Sequence, residues 1–164
     1  MSGILNTVGS KSGVIGQTEL DYEEGTFTPK LNGVSGGAVG GFYTKIGNSV
    51  TITCYWDTDT NSLTDTHVPS GTHAYINNLP FISKDVTRYV CKTWCDWYVP
   101  SGTALTNMSG HMTNNVDKFW LYASTGNHVD GTDGSKRVTG STIGTNSSGV
   151  RFKVNLSTVY LAHD

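Results

Sequence analysis

The sequence predicts an all-β protein: an antiparallel β-sandwich of jelly-roll-like kind, preceded by an extended N-terminal arm. Three observations predict it. Threonine is the commonest residue, there are 20 glycines, and only 15% of residues are charged, against about 25% in ordinary soluble domains. No segment sustains a helical period. Apolar residues instead alternate over short runs separated by turn signals. A length of 164 residues suits one domain plus an appendage, with a core large enough to fold without staples.

The arm comes first. Met1 to Gly16 is Gly, Ser, Asn and Thr with isolated aliphatics at Ile4, Leu5, Val8, Val14 and Ile15. It has neither strand nor helix period and too little contiguous apolar surface to bury alone. Those five side chains are the expected partner-binding studs of a segment that clips onto something larger, whose contacts offset the cost of ordering it. An acidic step at Glu19, Asp21, Glu23 and Glu24 follows. The expected division is therefore residues 1–24 as attachment arm and junction, and 25–164 as the β domain.

From Gly25 the strands begin. Thr26 to Thr28 run into Pro29, which suits an edge strand or a strand end. Asn32 to Gly41 is glycine-rich and reads as a flexible loop. Phe42–Ile46 and Ser49–Trp56 flank Gly47-Asn48, a two-residue hairpin signal. In the second of these runs Val50, Ile52, Cys54 and Trp56 share one face. Asp57 to Gly71 is polar and turn-rich, and His73–Leu79 is a short strand stopped by Pro80. Val86–Val99 reads as one long strand, and Leu105–Met112 as a weak one. Lys118–Ser124 carries apolar residues on both faces, Phe119 and Leu121 against Trp120 and Tyr122, which implies a second covering layer such as a symmetric neighbour. Asn127–Gly149 is a loop region with one short strand around Val138. In the last element Val150, Phe152, Val154 and Leu156 alternate with polar residues. After Thr158 the apolar parity passes to Val159 and Leu161, which suggests a bulge or a change of sheet. About eight short strands with turns between them give the sandwich.

Composition and motifs narrow the function classes. A net charge of −2 gives no long-range pull towards nucleic acid or an anionic membrane. No leader-like segment begins the chain and no apolar run is long enough to span a bilayer, so a product made in the cytoplasm without membrane insertion is expected. Cys54, Cys91 and Cys95 are an odd set. The last two stand about 13 Å apart along an extended strand, beyond the roughly 7 Å that a disulfide tolerates, so all three read as small buried hydrophobes. Asp57, Asp59 and Asn61 copy the opening of a calcium loop, but Ser62 and Val68 stand where its glycine and bidentate glutamate belong. The histidines lack paired ligand spacing, and nucleophile-elbow and phosphate-loop motifs are missing. No metal, cofactor or catalytic residue is expected. The remaining candidates are aromatic: Trp94, Trp97, Tyr98 and Trp120 offer flat faces on which sugar rings stack, with Asp96, Asn107 or Asn114 as hydroxyl partners.

The stretch Ser2–Asn6 with Gly9–Gly16, followed by Leu20–Pro29 (LDYEEGTFTP), Phe42–Ile52 (FYTKIGNSVTI) and Ile76–Phe81 (INNLPF), resembles small virion proteins of tailed bacteriophages of the tail-fibre or decoration type. The resemblance covers about the first half of the chain. It implies a non-enzymatic, commonly trimeric β-sandwich fixed to other virion proteins of the capsid or tail. The alternative is a tail-fibre module that recognises a host cell-surface polysaccharide.

Overall fold

A computed structural model describes residues 21–58, 63–64, 66–84, 89–91, 107–124, 136–143 and 152–163. The five arm studs therefore lie outside the described residues, as do Cys95 and most of the expected long strand over Val86–Val99. Within the described residues the protein is all-β, with two antiparallel sheets and a single helical turn, α1 (Gly140–Ile143).

The first sheet has four strands: β1 (Tyr22–Phe27), β3 (Ala38–Ile46), β4 (Ser49–Asp57) and β10 (Lys153–Leu161), in the order β1-β3-β4-β10. The β3–β4 hairpin forms where expected, with Ile46 opposite Ser49 across Gly47-Asn48. Gly47 adopts a φ of 55°, which a residue without a β-carbon reaches at no steric cost. The expected face of β4 is the buried one: Val50, Ile52, Cys54 and Trp56 all lie in the core, while Thr51, Thr53 and Tyr55 face outward.

Three readings need correction. The loop expected over residues 32–41 ends early, because Ala38–Gly41 already belong to β3. Their glycines are packing requirements: a β-carbon on Gly41 would stand 2.5 Å from the Phe27 ring, and one on Gly40 would stand 2.8 Å from Tyr55. The parity break after Thr158 does not occur. β10 pairs with β4 without interruption from Lys153 opposite Asp57 to Leu161 opposite Ser49. Thr158, Tyr160 and Ala162 continue the buried face, so Val159 and Leu161 are apolar residues left on the outside. Tyr160 can point inward because its hydroxyl donates to the Phe81 carbonyl at 3.0 Å. Finally, β1 starts at Tyr22, ahead of Gly25. Glu23 and Glu24 sit within it, opposite Lys45 and Thr44, and accept hydrogen bonds from the Tyr43 and Tyr22 hydroxyls, both at 2.6 Å.

The second sheet comprises β2 (Lys30–Leu31), β5 (Tyr75–Asn77), β6 (Tyr89–Cys91), β7 (Asn107–Met112), β8 (Phe119–Ser124) and β9 (Lys136–Arg137). Its order is β2-β5-β8-β7-β6, with β9 also paired to β8. Asn32 splices β2 to β5 with its side chain: Nδ2 donates to the His73 carbonyl at 3.0 Å, and Oδ1 accepts from the Tyr75 amide at 2.9 Å. Buried Ser83 does similar work at the β7–β8 turn, donating to the Thr113 carbonyl at 2.7 Å and accepting from the Val116 amide at 3.2 Å.

One apolar cluster joins the two sheets. Val50, Ile52, Trp56, Leu156 and Tyr160 come from the first sheet, and Leu31, Ile76, Met112, Phe119 and Leu121 from the second. Each fully buried large side chain contributes about 1.5–3 kcal/mol by leaving water. The indole of Trp56 keeps its polar edge satisfied by donating to the Val34 carbonyl at 3.1 Å. With the inner faces so occupied, each sheet's outer face is left to meet solvent or a partner.

Candidate binding faces

The outer face of the first sheet is apolar. Among the described residues the exposed large hydrophobics are Tyr22, Phe42, Ile46, Tyr55, Ile82, Val159 and Leu161. All but Ile82 lie on this face by strand parity, with Phe42 66% exposed and Val159 55%. The pairing sets Tyr22, Ile46, Ser49 and Leu161 side by side across the four strands, next to a row of Glu24, Thr44, Thr51 and Val159. Threonine and serine fill the gaps. Glu24 is the acidic group on this face, in the edge strand β1, and its carboxylate is engaged by Tyr22. An apolar sheet face with so little charge is the composition of an interface.

The outer face of the second sheet is a platform of rings. In β8, Phe119 and Leu121 point into the core, while Trp120 and Tyr122 alternate outward and are half-buried. Antiparallel pairing brings Tyr75 and His111 to either side of Trp120. His73 enters just before β5, so five rings form a continuous row. Tyr75 meets Trp120 edge-on at 5.0 Å, and Trp120 stacks on His73 at 4.8 Å. His73 meets Tyr122 edge-on at 4.8 Å, and Tyr122 stacks on His111 at 4.8 Å. Lys118 lies over one end, with Nζ 5.1 Å from the Tyr75 centroid and 5.3 Å from that of Trp120. Arg137 is opposite Tyr122 at the other end.

These contacts explain how Trp120 and Tyr122 are covered. The shelter comes from His73, Tyr75, His111 and Lys118 of the same chain, so apolar residues on both faces of β8 need no neighbouring copy. His73 is locked in place, since its Nε2 stands 2.7 Å from the Leu121 carbonyl, which can only accept. Burial is the main cause of its lowered pKa; the Leu121 hydrogen bond opposes it, and the charges of Arg137 and His111 add to it. Because the Leu121 carbonyl only accepts, the hydrogen bond requires the ring proton on Nε2.

Of the aromatic candidates read from the sequence, Trp120 stands in this row between Tyr75 and His73, whereas Trp94, Trp97 and Tyr98 lie outside the described residues. Asn114 is exposed beyond the end of β7. His73, Tyr75, His111 and Tyr122 were not singled out. The signal for three of them was present, because His73 and Tyr75 alternate with Ala74 and Ile76, and Tyr122 with Leu121 and Ala123. His111 joins them only through the β7–β8 register.

Among the described residues no group of three His, Cys, Asp or Glu side chains gathers as a metal site. Asp57, which opens the calcium-like run, is 5% exposed and uses its carbonyl to accept the Gly37 amide at 3.0 Å. Cys54 is buried and its thiol is pushed up to about 12 by that burial, so it is a core residue and not a nucleophile. The described residues contain no helix long and apolar enough to cross a membrane.

The class these features define is a two-sheet, all-β protein with one apolar and one aromatic outer face. No protein-family model matches the chain, and no curated protein or solved structure is significantly similar to it.

Proposed function

We propose that the chain is a non-enzymatic structural protein of a tailed-phage virion. In this reading it is a small β-sandwich of jelly-roll kind, held on the capsid or tail by residues 1–24 and assembled as a homotrimer. It is synthesised in the host cytoplasm and ends in the particle. The observation that carries the reading is the apolar outer face of the first sheet. That face includes the edge strand β1 (Tyr22–Phe27), which follows the arm in sequence; in this reading the studs Ile4, Leu5, Val8, Val14 and Ile15 and that face serve the same attachment. The resemblance of the first half of the chain to small virion proteins supports the same reading.

The test is a deletion of residues 1–16. The shortened protein retains its cooperative thermal transition and fails to associate with particles. Full retention on the particle after that deletion refutes the reading.

A second reading is favoured by the ring platform on the second sheet: a tail-fibre module that recognises a host surface glycan. Five preassembled rings on one face suit stacking against sugar C–H surfaces. Binding of the intact protein to host polysaccharide, lost in Trp120→Ala, supports it. A folded protein that binds no glycan argues against it.

A further inference from the structure

The six strands of the second sheet contain no aspartate or glutamate. Its outer face nonetheless carries cations at both ends of the ring row. Lys118 lies over Tyr75 and Trp120, and Arg137 is exposed opposite Tyr122. Lys30 joins them: it pairs with Asn77, while its neighbour Leu31 pairs with buried Ile76, so alternation sets Lys30 on the same outer face as Tyr75.

Among the described residues most acidic groups stand elsewhere. The chain as a whole is at −2, and Asp21, Glu23 and Glu24 crowd the opposite sheet's edge strand. Asp117 is the acidic residue nearest in sequence to Lys118, and its charge adds to the raised pKa of buried Tyr160, whose hydroxyl donates to the Phe81 carbonyl.

We propose that this face binds an acidic saccharide, its C–H surfaces resting on the solvent-facing rims of Trp120 and Tyr75 while carboxylate or sulfate groups pair with Lys118 and Arg137. The inference rests on the second reading above, that the platform recognises a glycan, and adds the chemical class of that glycan. A neutral saccharide would leave Arg137 unused and Lys118 with only its contacts to the Tyr75 and Trp120 rings. Single-stranded nucleic acid is disfavoured because tight binding draws on many phosphate contacts, and three cations on a net-negative chain supply few. The lowered pKa of His73 fits the same picture, since Arg137 contributes to it after burial.

The experiment measures binding of the full chain to a panel of uronate-, sialate- and sulfate-bearing polysaccharides, to their carboxyl-reduced or desulfated forms, and to oligo(dT). An acidic polymer binds about fivefold tighter than its neutralised form, the upper end of the gain from one exposed charge pair. The Lys118→Gln, Arg137→Gln double variant, whose substitutions keep polar side chains at the surface, erases that preference, the ratio of acidic to neutralised affinity falling to about one. Trp120→Ala weakens both by about tenfold. Should Trp120→Ala unfold, the salt dependence of the unaltered protein serves instead: sodium chloride weakens binding to the acidic polymer and spares the neutral one.

Equal affinity for acidic and neutralised polymers overturns the acidic class and leaves the glycan reading standing. No binding to any polysaccharide overturns both. Preference for oligo(dT) over every polysaccharide overturns the proposal in favour of nucleic acid.

Discussion

Gly110 in β7 is the position where one added carbon does most harm. It lies opposite Leu121 of β8, and a β-carbon there would overlap the rim of the fully buried Phe119 ring and stand 2.5 Å from the Trp120 carbonyl oxygen. The ring can yield only by pushing into a filled core, and the carbonyl is fixed by the sheet. Ordinary contact needs about 3.5 Å, so the required displacement exceeds an ångström. Gly110→Ala should therefore cost about 2–3 kcal/mol, the upper part of the range for overpacking, and lower Tm by roughly 5–10 °C for a domain of this size. Urea unfolding followed by tryptophan fluorescence measures the loss. The second arm is Gly110→Ala with Phe119→Leu, in which the smaller side chain makes room. Their combined cost should fall short of the sum of the single costs by about 1 kcal/mol. If Gly110→Ala lies within about 0.5 kcal/mol of the unaltered protein, Phe119 does not pack against β7 as described.

Two further outcomes follow from groups with shifted pKa values. Burial lowers His73 and also His67, where a Thr64 backbone bond opposes the effect. Both folded values therefore sit below the unfolded one, and the unfolded state binds the extra protons. The stability this contributes is complete above about pH 6.5 and is lost as pH falls through the folded values. Urea midpoints should be flat from pH 8 to 7 and decline towards pH 5, with a shallower decline in His73→Gln; a midpoint that rises on acidification contradicts the assignment. Cys54, buried with its thiol pushed up to about 12, should resist a thiol reagent at pH 8 until the protein unfolds. Peptide mapping that finds Cys54 modified in the native protein refutes its core position.

The parts of the fold legible in the sequence are those where one strand carries its own evidence. Val50 to Trp56 announce a buried face by alternation alone, and Gly47-Asn48 announces the hairpin. The misread parts depend on neighbours. Gly40 and Gly41 look like loop residues until the rings of Tyr55 and Phe27 are seen against them. Val159 and Leu161 look like a shifted core face because apolar residues were taken to be buried, whereas Thr158 and Tyr160 hold that position. The turn at Gly140–Ile143 is too short to show a period. The ring platform was visible only at Trp120, because its members come from positions 73, 75, 111, 120 and 122, and register between distant strands brings them together.

The pairing of β10 with β4 has a consequence for how the protein is made. Thr53 and Ser157, whose hydroxyls lie 3.2 Å apart, are 104 positions apart in sequence. β10 supplies Val154, Leu156 and Tyr160 to the core, so the two sheets cannot close over a filled interior until that strand has left the ribosome. The nascent chain carries the β3–β4 hairpin early, with Ile52 and Trp56 waiting for partners that arrive last. Closing so long a loop slows folding, and until it closes the apolar face of the β3–β4 hairpin stays open to water and to aggregation.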